Sequence, residues 1–550
     1  MTELELESIQ RINADVLVIG SGAAGLRAAI AARKHGLDVV LASESPVGFR
    51  NNTAISRAIL TAAGIWKGAG DSAEAHFNDT IAAGRFINDR RLVTTMTGAI
   101  RQQVYDLMEF GVNFRRRDGE LLVGPMPGHT YPRHVAAEAN KGINLTRPMR
   151  QYAASVGVKF LEGILVTKLL QAENTVIGVV AIDGKGRVFV ISARSTILAT
   201  GGAGDIYLRT TNAIGLTGDG YALAYEAGAV LRDMEFVQFY PTAWGKQGRK
   251  MCMYEGLLPM GAIIRNSLGE DVLKRYGMNN VVSVTRDILT RTVMREIVDG
   301  RGVKGNVVFD FTTIPGEHVQ GLYRSGFMSG EDNLGRLPVA PTAHFLMGGI
   351  RINESSESGI DGLYAAGEVC GGVHGANRLG GNSISETLVF GAIAGNQAAA
   401  AAARMGQTPA LQSGVMGEVE RLKELASGSG RESLDELQRS LKQVMWDKVG
   451  VIRDRQSLED AQQEILTLRE QLAAVSLADH RQLSQAIKLA NMLTVSEMVC
   501  RTALMRTESR GSHYRTDYPE EDSEQWLKAI EISCQSGKMV LKTVPVAAEA

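Results

Sequence analysis

The N-terminal segment joins an apolar strand, a glycine turn and a helix in immediate succession. Residues 14–19 (ADVLVI) form a continuous apolar run, the turn GSGAAG follows at 20–25, and an alanine-rich helical pattern extends to about His35. A second apolar strand is expected at 38–42. This β-turn-α-β unit with GxGxxG at its turn predicts a Rossmann-like α/β domain that binds the pyrophosphate of a dinucleotide at the helix N-terminus.

Two later segments repeat the pattern of an apolar strand that ends in glycine. Residues 195–199 lead into Thr200-Gly201-Gly202, and residues 362–366 lead into Gly367-Glu368. Both are typical of further strand ends in one nucleotide-binding domain, so we expect a discontinuous domain that encloses a mixed insertion at about 236–340. Glu44 follows the second strand, about 20 residues beyond the glycine turn, where a ribose-binding acid is expected.

Helical spacing dominates from about residue 410, where glycine becomes rare. The sequence Ser433-Leu434-Asp435-Glu436 has the form of a capping box, and a third helix is expected at 485–508. The apolar residues of the first two helices recur at helical intervals: Leu434, Leu437, Leu441 and Val444, then Leu458, Ile465, Leu468 and Leu472. This pattern predicts a C-terminal helical domain that packs on the core.

Composition and charge exclude several classes of protein. Glycine accounts for 61 of 550 residues and proline for 13, which indicates many close backbone approaches, as a chain wrapped around a cofactor would need. Lys plus Arg is 59 and Asp plus Glu is 60, so the chain has no basic field that would bind nucleic acid or an anionic membrane.

The cysteines and the N-terminal residues bear on metals and location. Cys252, Cys370, Cys500 and Cys534 have neither CxxC nor other metal-ligand spacing, so we expect no metal site, iron–sulfur centre or c-type haem within the chain. Residues 1–12 are acidic and lack the apolar segment of a signal peptide. Residues 388–403 form an apolar but short and glycine-broken run, which favours a buried helix over a membrane span. The expected location is cytoplasmic.

Six segments, in order along nearly the whole chain, resemble the flavoprotein subunit of the fumarate reductase/succinate dehydrogenase family, which includes L-aspartate oxidase. They are IGSGAAG at 19–25, LATGGAG at 198–204, TNAIGLTGDG at 211–220, APTAHFLMGGI at 340–350, AAGEVCGGVHGANRLGGNSISE at 365–386 and ESRGSHYRTDYP at 508–519. The resemblance implies an FAD-binding domain in two parts, 1–235 and 341–405, with an inserted α+β capping domain at 236–340 and a helical domain at 406–550.

The resemblance also implies FAD at the glycine turn and a two-electron reaction at a carbon–carbon bond next to a carboxylate. The residues implied in FAD binding are Gly20, Gly22, Ala23, Ala24, Gly25, Ser43, Glu44, Asn52, Thr53, Thr200, Gly201, Gly202, Asp219, Glu368, Asn382 and Ser383.

Three residues match the family's catalytic phrases. Arg286, in TRDILTR, corresponds to the arginine that delivers a proton to one alkene carbon. His344, in PTAHFLMGG, and Arg378, in GANRLGG, correspond to the pair that binds a substrate carboxylate, which suits the two parallel hydrogen bonds of a guanidinium. Because the pKa of a free arginine exceeds about 12, Arg286 can act as an acid only in a dry site with a charge partner, for which Glu255 is the candidate.

The chain departs from the family at the position of covalent flavin attachment. Asn52 stands in Arg50-Asn51-Asn52-Thr53 where the family's phrase has the histidine that bonds to FAD. An amide nitrogen is not a nucleophile, so we expect FAD to bind without a covalent link. The lack of that link favours reduction of an acceptor over oxidation of succinate.

Further departures fall at the other end of the substrate. Tyr240 and Tyr254 replace the histidine and threonine that usually bind the second carboxylate, and Leu258 replaces a proton-relay arginine. Leucine cannot carry a proton, so the path to Arg286 must be remade by another group or by water. Two substrate classes therefore stay open: fumarate or succinate itself, and an acid with a different distal group, such as an aryl, amide or thioester end.

Two other functions remain open from the sequence: an oxidase of the L-aspartate oxidase kind, and an electron-transfer flavoprotein subunit with a decayed substrate pocket. Because the chain contains no second redox centre of its own by sequence, its electrons come from elsewhere. The resemblance favours an iron–sulfur subunit, with membrane association only through such partners, while NADH or reduced flavin are alternatives.

Overall fold

The computed structural model describes residues 9–65, 68, 70–251, 254–281, 284–318, 320, 335–406, 412–428, 430 and 432–546. Cys252 lies outside these residues. The described part of the chain contains no helix with the length and apolar character needed to cross a bilayer. Within the same residues, no group of three or more His, Cys, Asp or Glu side chains could hold a metal ion.

The strands, in chain order, are β1 Gln10–Ile19, β2 Val39–Ser43, β3 Ile59–Thr61, β4 Arg116–Arg117, β5 Glu120–Leu121, β6 His134–Ala136, β7 Lys159–Glu162, β8 Ile164–Ala172, β9 Thr175–Asp183, β10 Val188–Leu198, β11 Leu231–Arg232, β12 Val237–Trp244, β13 Lys250–Met251, β14 Ile263–Arg265, β15 Val307–Asp310, β16 Arg336–Leu346, β17 Gly349–Arg351, β18 Leu363–Ala365, β19 Cys370–Gly371, β20 Lys528–Gln535 and β21 Lys538–Pro545.

The helices are α1 Ala23–Arg33, α2 Asn52–Ile55, α3 Ala73–Ala83, α4 Arg90–Glu109, α5 Ile143–Ser155, α6 Asp219–Glu226, α7 Tyr254–Leu257, α8 Val272–Arg275, α9 Arg286–Glu296, α10 Asn382–Arg404, α11 Gln412–Ala426, α12 Leu434–Lys448, α13 Arg455–Ala474, α14 His480–Met505 and α15 Ser523–Trp526.

The largest sheet has the order β7-β2-β1-β10-β9-β8, and β18 also pairs with β10. Strands β7, β2, β1, β10 and β18 are parallel, whereas β8 and β9 form an antiparallel extension. The carboxyl ends of β1, β2, β10 and β18 therefore meet at one edge, which is where open α/β sheets bind their ligands. The Rossmann-like α/β prediction and the first strand, turn and helix are confirmed.

Helix α1 is buried along almost its whole length and packs against α10. Two glycines of α10 allow the helices to touch backbone to backbone: a Cβ on Gly391 would lie 2.8 Å from the Ala24 carbonyl oxygen, and one on Gly395 would lie 2.2 Å from that of Ala28. The apolar run at 388–403 is thus an interior helix, as predicted.

The inserted segment forms a second sheet with the order β13-β12-β16-β15-β14. Its strand β16 runs from Arg336 to Leu346, across the domain boundary predicted at 340. Helix α9 also belongs to the inserted segment and packs on β12. This arrangement places Arg286 at the first turn of α9, directly over Tyr240 of β12.

Helices α12, α13 and α14 occupy the C-terminal region, and all eight apolar positions predicted for the first two are buried. Helix α12 begins after Ser433 as predicted, but the Ser433 side chain makes no capping hydrogen bond, so the capping box is wrong in that detail. The region also ends in a hairpin, β20–β21, which joins β11, β17 and β19 in a third sheet. The sequence pattern had indicated helices alone here.

Candidate active site

A cavity with about 1940 Å³ of empty space, including its open mouth, lies at the carboxyl edge of the large sheet. It extends from the glycine turn to Arg286, His344 and Arg378, so it joins the predicted cofactor residues to the predicted substrate residues. The predicted cofactor residues that line it are Gly20, Gly22, Ala23, Ala24, Ser43, Glu44, Asn52, Thr53, Thr200, Gly201, Gly202, Asp219, Glu368 and Ser383.

The glycine turn fits a pyrophosphate because each glycine meets a different steric demand. Gly20 has φ +115°, and a Cβ there would lie 2.1 Å from the Ala199 carbonyl oxygen. A Cβ on Gly25 would lie 1.9 Å from the Gly20 oxygen, so this glycine serves the packing of helix on strand. Gly22 borders the cavity, and its nearest neighbour would be Thr53 Oγ1 at 3.6 Å, which leaves room for a phosphate above the helix N-terminus.

A second observation also fits a bound dinucleotide. Thr200 follows the end of β10 at the cavity wall, and its hydroxyl oxygen is buried without a hydrogen-bond partner among the residues that the structure describes. Buried hydroxyl groups in native structures are normally paired, so this group fits a ligand contact.

Glu44 and Asp219 border the cavity and are tied to helix α14. Glu44 forms an ion pair with Lys488. Asp219 accepts hydrogen bonds from Thr217 Oγ1 at 3.1 Å and from Asn491 Nδ2 at 2.7 Å. Burial raises the pKa of Asp219, and the nearby charge of Lys488 opposes that shift.

Asn52 is held by three neighbours at the cavity wall. Its Oδ1 accepts the Ala213 N–H at 2.9 Å, and its Nδ2 donates to Asn212 Oδ1 at 3.0 Å and to Glu368 Oε2 at 3.3 Å. Burial raises the pKa of Glu368 to about 7, partly opposed by the hydrogen bond from the Leu346 N–H.

Asn382 is set back from the cavity in a buried polar cluster. Its Oδ1 accepts from Thr61 Oγ1 at 2.6 Å and bonds with His76 Nε2 at 2.8 Å, while its Nδ2 donates to Thr80 Oγ1 at 3.0 Å. The Asn382 side chain therefore anchors the start of α10, and its predicted contact with FAD stays a prediction.

Arg286 and Glu255 form the charged pair expected of a dry acid site. The Arg286 Nη2 and Nε groups donate to Glu255 Oε1 at 2.9 Å and 3.2 Å, and the pair is largely buried. Burial alone would lower the pKa of Arg286, but the Glu255 carboxylate outweighs burial and raises it. Arg286 therefore holds its proton firmly at rest.

Arg378 and His344, the predicted carboxylate-binding pair, both line the cavity. Burial, together with the charge of Arg286, lowers the pKa of Arg378 to about 9, and its buried Nε has no hydrogen-bond partner among the described residues. Burial also lowers the pKa of His344 well below its usual value, so its ring is neutral, and its Nδ1 lies 2.8 Å from Thr211 Oγ1. An unpaired guanidinium nitrogen beside a neutral imidazole can bind a carboxylate.

Gln238 is a candidate site residue that the sequence analysis does not identify. Its Oε1 accepts from Arg378 Nη2 at 2.9 Å and from Arg286 Nη1 at 3.4 Å, so one amide oxygen connects the two guanidinium groups. It lies two residues before Tyr240 on β12, and side chains at that spacing share one face of a strand. This two-residue spacing from Tyr240 is the sequence feature that could have identified Gln238.

The two substituted tyrosines lie beside the charged pair. The Tyr240 hydroxyl donates to Glu255 Oε2 at 2.7 Å, and its ring lies 5.7 Å from both His344 and Tyr254 between centroids. Tyr240 lines the cavity, whereas Tyr254 is buried behind it. Burial raises the pKa of both phenols, so both remain protonated at neutral pH.

Two family models match the chain: an FAD-binding domain over residues 15–384 and a fumarate reductase flavoprotein C-terminal domain over residues 438–550. Among curated relatives, a subunit of the CoM/CoB fumarate reductase from Methanothermobacter marburgensis is 37% identical over 94% of this chain and 96% of its own length. A fumarate reductase flavoprotein subunit from Mycobacterium tuberculosis is 33% identical over 93% of both chains. Among solved structures, quinol fumarate reductase from E. coli superposes with a TM-score of 0.89 and 28% identity, covering 98% of this chain and 97% of that chain.

Proposed function

Because this chain belongs to the fumarate reductase/succinate dehydrogenase flavoprotein family, we propose that it reduces the C=C bond of an unsaturated acid with one carboxylate and an uncharged distal end. As a member of that family it is an FAD-dependent oxidoreductase that acts on CH–CH bonds. FAD, when bound and reduced, supplies the hydride. The residues of this chain bind the acid, orient it and supply the proton.

The observation that carries the proposal is the hydrogen bond from Tyr240 to Glu255. The phenol has one proton, which it donates to Glu255 at 2.7 Å, so it cannot donate that proton to a second carboxylate. Its ring faces the cavity, and the thioethers of Met126 and Met251 add to the lining. This chemistry suits an aryl, ester, amide or thioester group better than a carboxylate.

The remaining residues have separate roles. Arg378 and His344 bind the single carboxylate, and Gln238 sets the position of Arg378 relative to Arg286. Arg286 gives a proton to one alkene carbon while a hydride adds to the other. Because Asn52 cannot bond covalently to the cofactor, FAD is held by contacts alone, which favours the reductive direction.

The electron donor is an iron–sulfur subunit in this proposal. The relatives are named as subunits, and the cysteines of the chain have no cluster-binding spacing. Any association with a membrane then runs through such partners, and the chain itself remains in the cytoplasm.

The experiment compares fumarate with acceptors that differ from it only at one end. The holoprotein is reduced with dithionite without oxygen, and its reoxidation is followed with fumarate and with monomethyl fumarate or fumaramate. We expect the neutral-ended acceptors to reoxidise it about tenfold faster or more. The reason is that the second carboxylate of fumarate would meet the Tyr240 hydroxyl, whose proton is already donated to Glu255. Faster reoxidation by fumarate would contradict the proposal.

The same apparatus tests the two alternatives. Formation of hydrogen peroxide with L-aspartate would indicate an oxidase. Slow reoxidation by oxygen alone, with no response to any enoate, would indicate an electron-transfer subunit with a decayed pocket.

A further inference from the structure

Tyr240, Glu255 and Arg286 form a continuous hydrogen-bonded chain that begins at the cavity wall. Tyr240 O–H donates to Glu255 Oε2 at 2.7 Å, and Arg286 Nη2 donates to Glu255 Oε1 at 2.9 Å. We propose that Tyr240 relays a solvent proton from the cavity through Glu255, and that this relay reprotonates Arg286 after each turnover. The inference rests on the proposed reduction of a C=C bond, in which Arg286 loses one proton per turnover.

The need for such a relay follows from Leu258. It is buried immediately after the end of α7, and its alkyl side chain neither donates nor accepts a proton. Glu255 is partnered through both carboxylate oxygens, one facing Arg286 and the other facing Tyr240. Tyr240 and Arg286 both line the cavity, whereas Glu255 is not among the lining residues. Since Arg286 is the group that must be reprotonated, Tyr240 is the described partner through which a proton from the cavity can reach Glu255.

The proton balance of the relay is simple. In the reductive step an N–H bond of Arg286 breaks and a C–H bond forms, which leaves a neutral guanidine. The Tyr240 O–H proton then passes to Glu255 Oε2 while the phenol oxygen takes a proton from cavity water. Rotation of the Glu255 carboxyl about Cγ–Cδ presents that proton to the Arg286 nitrogen. The net change is one proton taken from solvent, with no change in oxidation state.

Tyr254 offers a matched control for the relay. It is a second buried phenol, and its ring lies 5.7 Å from that of Tyr240. It is not among the cavity-lining residues, so the relay has no role for its hydroxyl. Tyr240→Phe and Tyr254→Phe each remove one oxygen and keep the ring in place.

The test separates the first turnover from the later ones in the holoenzyme. Each variant is reduced, mixed with whichever acceptor the wild type reduces most rapidly, and then supplied with reduced viologen. In Tyr240→Phe, Arg286 starts protonated, so the first turnover should stay within about threefold of wild type while steady-state turnover falls about 100-fold. In Tyr254→Phe the first turnover and the later turnovers should change by the same factor relative to wild type.

Two further readouts distinguish a relay from a structural or binding role. The solvent deuterium isotope effect on steady-state turnover should increase in Tyr240→Phe relative to wild type, and the isotope effect on the first turnover should not. An equal fall in first and later turnovers, or no fall, would overturn the relay. Because any accepted substrate serves, fumarate included, the relay can fail or hold independently of the distal-group proposal.

Discussion

At the level of single residues, Glu368 makes the folding stability of the protein depend on pH. Burial raises its pKa from 4.5 to about 7, so the folded protein retains a proton that the unfolded chain releases. The contribution of Glu368 to stability is therefore complete below pH 4.5 and is lost as the pH rises through about 7. We expect Glu368→Gln to remove this dependence, so that its stability relative to wild type increases by about 3 kcal/mol across that window.

Thermal midpoints measured from pH 4.5 to 8 check this expectation. Glu531→Gln is a control of opposite sign. Burial opposes ionisation of Glu531 too, but the hydrogen bond from Arg351 and the charge of Lys542 outweigh burial and lower its pKa. Wild-type stability due to Glu531 is thus lost as the pH falls, and parallel pH profiles for the two variants would contradict the account of Glu368.

The residue scale also shows what sequence can and cannot predict. Arg286, His344 and Arg378 stood in intact family phrases, and all three line one cavity. The hydrogen bond from Tyr240 to Glu255 joins a strand and a short helix, with the two residues 15 apart in the sequence. Whether the two side chains meet depends on how the helix packs on the sheet. A sequence motif identifies the residue at a site. The hydrogen-bond partner of its side chain depends on tertiary packing, which a local sequence pattern does not reveal.

Among the elements, the glycine turn before α1 contains two positions where a glycine-to-alanine substitution should have different effects. In Gly22→Ala the new Cβ meets nothing closer than 3.6 Å, so the protein should fold but lose FAD affinity by about tenfold or more, since the methyl fills the phosphate position. In Gly25→Ala the Cβ would lie 1.9 Å from the Gly20 oxygen, so little folded protein is expected.

Circular dichroism and FAD titration of the two purified variants distinguish these outcomes. Gly98→Ala is a control at a glycine without positive φ, in open surroundings on α4 and away from the cavity. Normal FAD binding by Gly22→Ala would mean that the phosphates lie elsewhere.

Helix α9 is held at its far end by Tyr514 of the C-terminal region. The Arg291 and Arg295 guanidinium carbons lie 5.0 Å and 5.9 Å from the centre of its ring, and Arg295 Nη2 donates to its hydroxyl at 2.9 Å. Cation–π contacts at exposed sites contribute about 0.5–1 kcal/mol each, so we expect Tyr514→Ala to lower kcat/KM about fivefold through looser placement of Arg286.

Steady-state kinetics and the rate of limited proteolysis within the inserted segment check the role of Tyr514. Tyr514→Phe keeps the ring and loses one hydrogen bond, so its defect should be smaller. Equal activity of Tyr514→Ala and wild type would show that α9 is placed by β12 alone.

The C-terminal hairpin shows why an element can be missed although its signal is present. Ser536 and Gly537 both have positive φ and join β20 to β21 in a two-residue turn, a turn chemistry that the sequence displays. The helical repeats that precede it dominate the pattern of the region. Its pairing with β11, some 300 residues away in the sequence, is a long-range contact that no window of sequence contains.

On the scale of the whole molecule, the cavity is assembled from segments around residues 20, 52, 200, 219, 368 and 383. Bound FAD would therefore stabilise segments that are far apart in the chain. Since Asn52 provides no nucleophile, precipitation with acid should release all of the flavin as intact FAD into the supernatant, as measured by its absorbance. Flavin retained in the precipitate would contradict non-covalent binding.

The contact between α1 and α10 has a consequence for redesign. One helix begins at the glycine turn and the other begins just after Arg378, and their glycines leave no layer of side chains between them that could be enlarged or trimmed. This contact between the helices therefore fixes the distance between the two ends of the cavity. Directed evolution toward longer or bulkier acids would gain little from this wall and should concentrate its libraries on β12, α7 and α9.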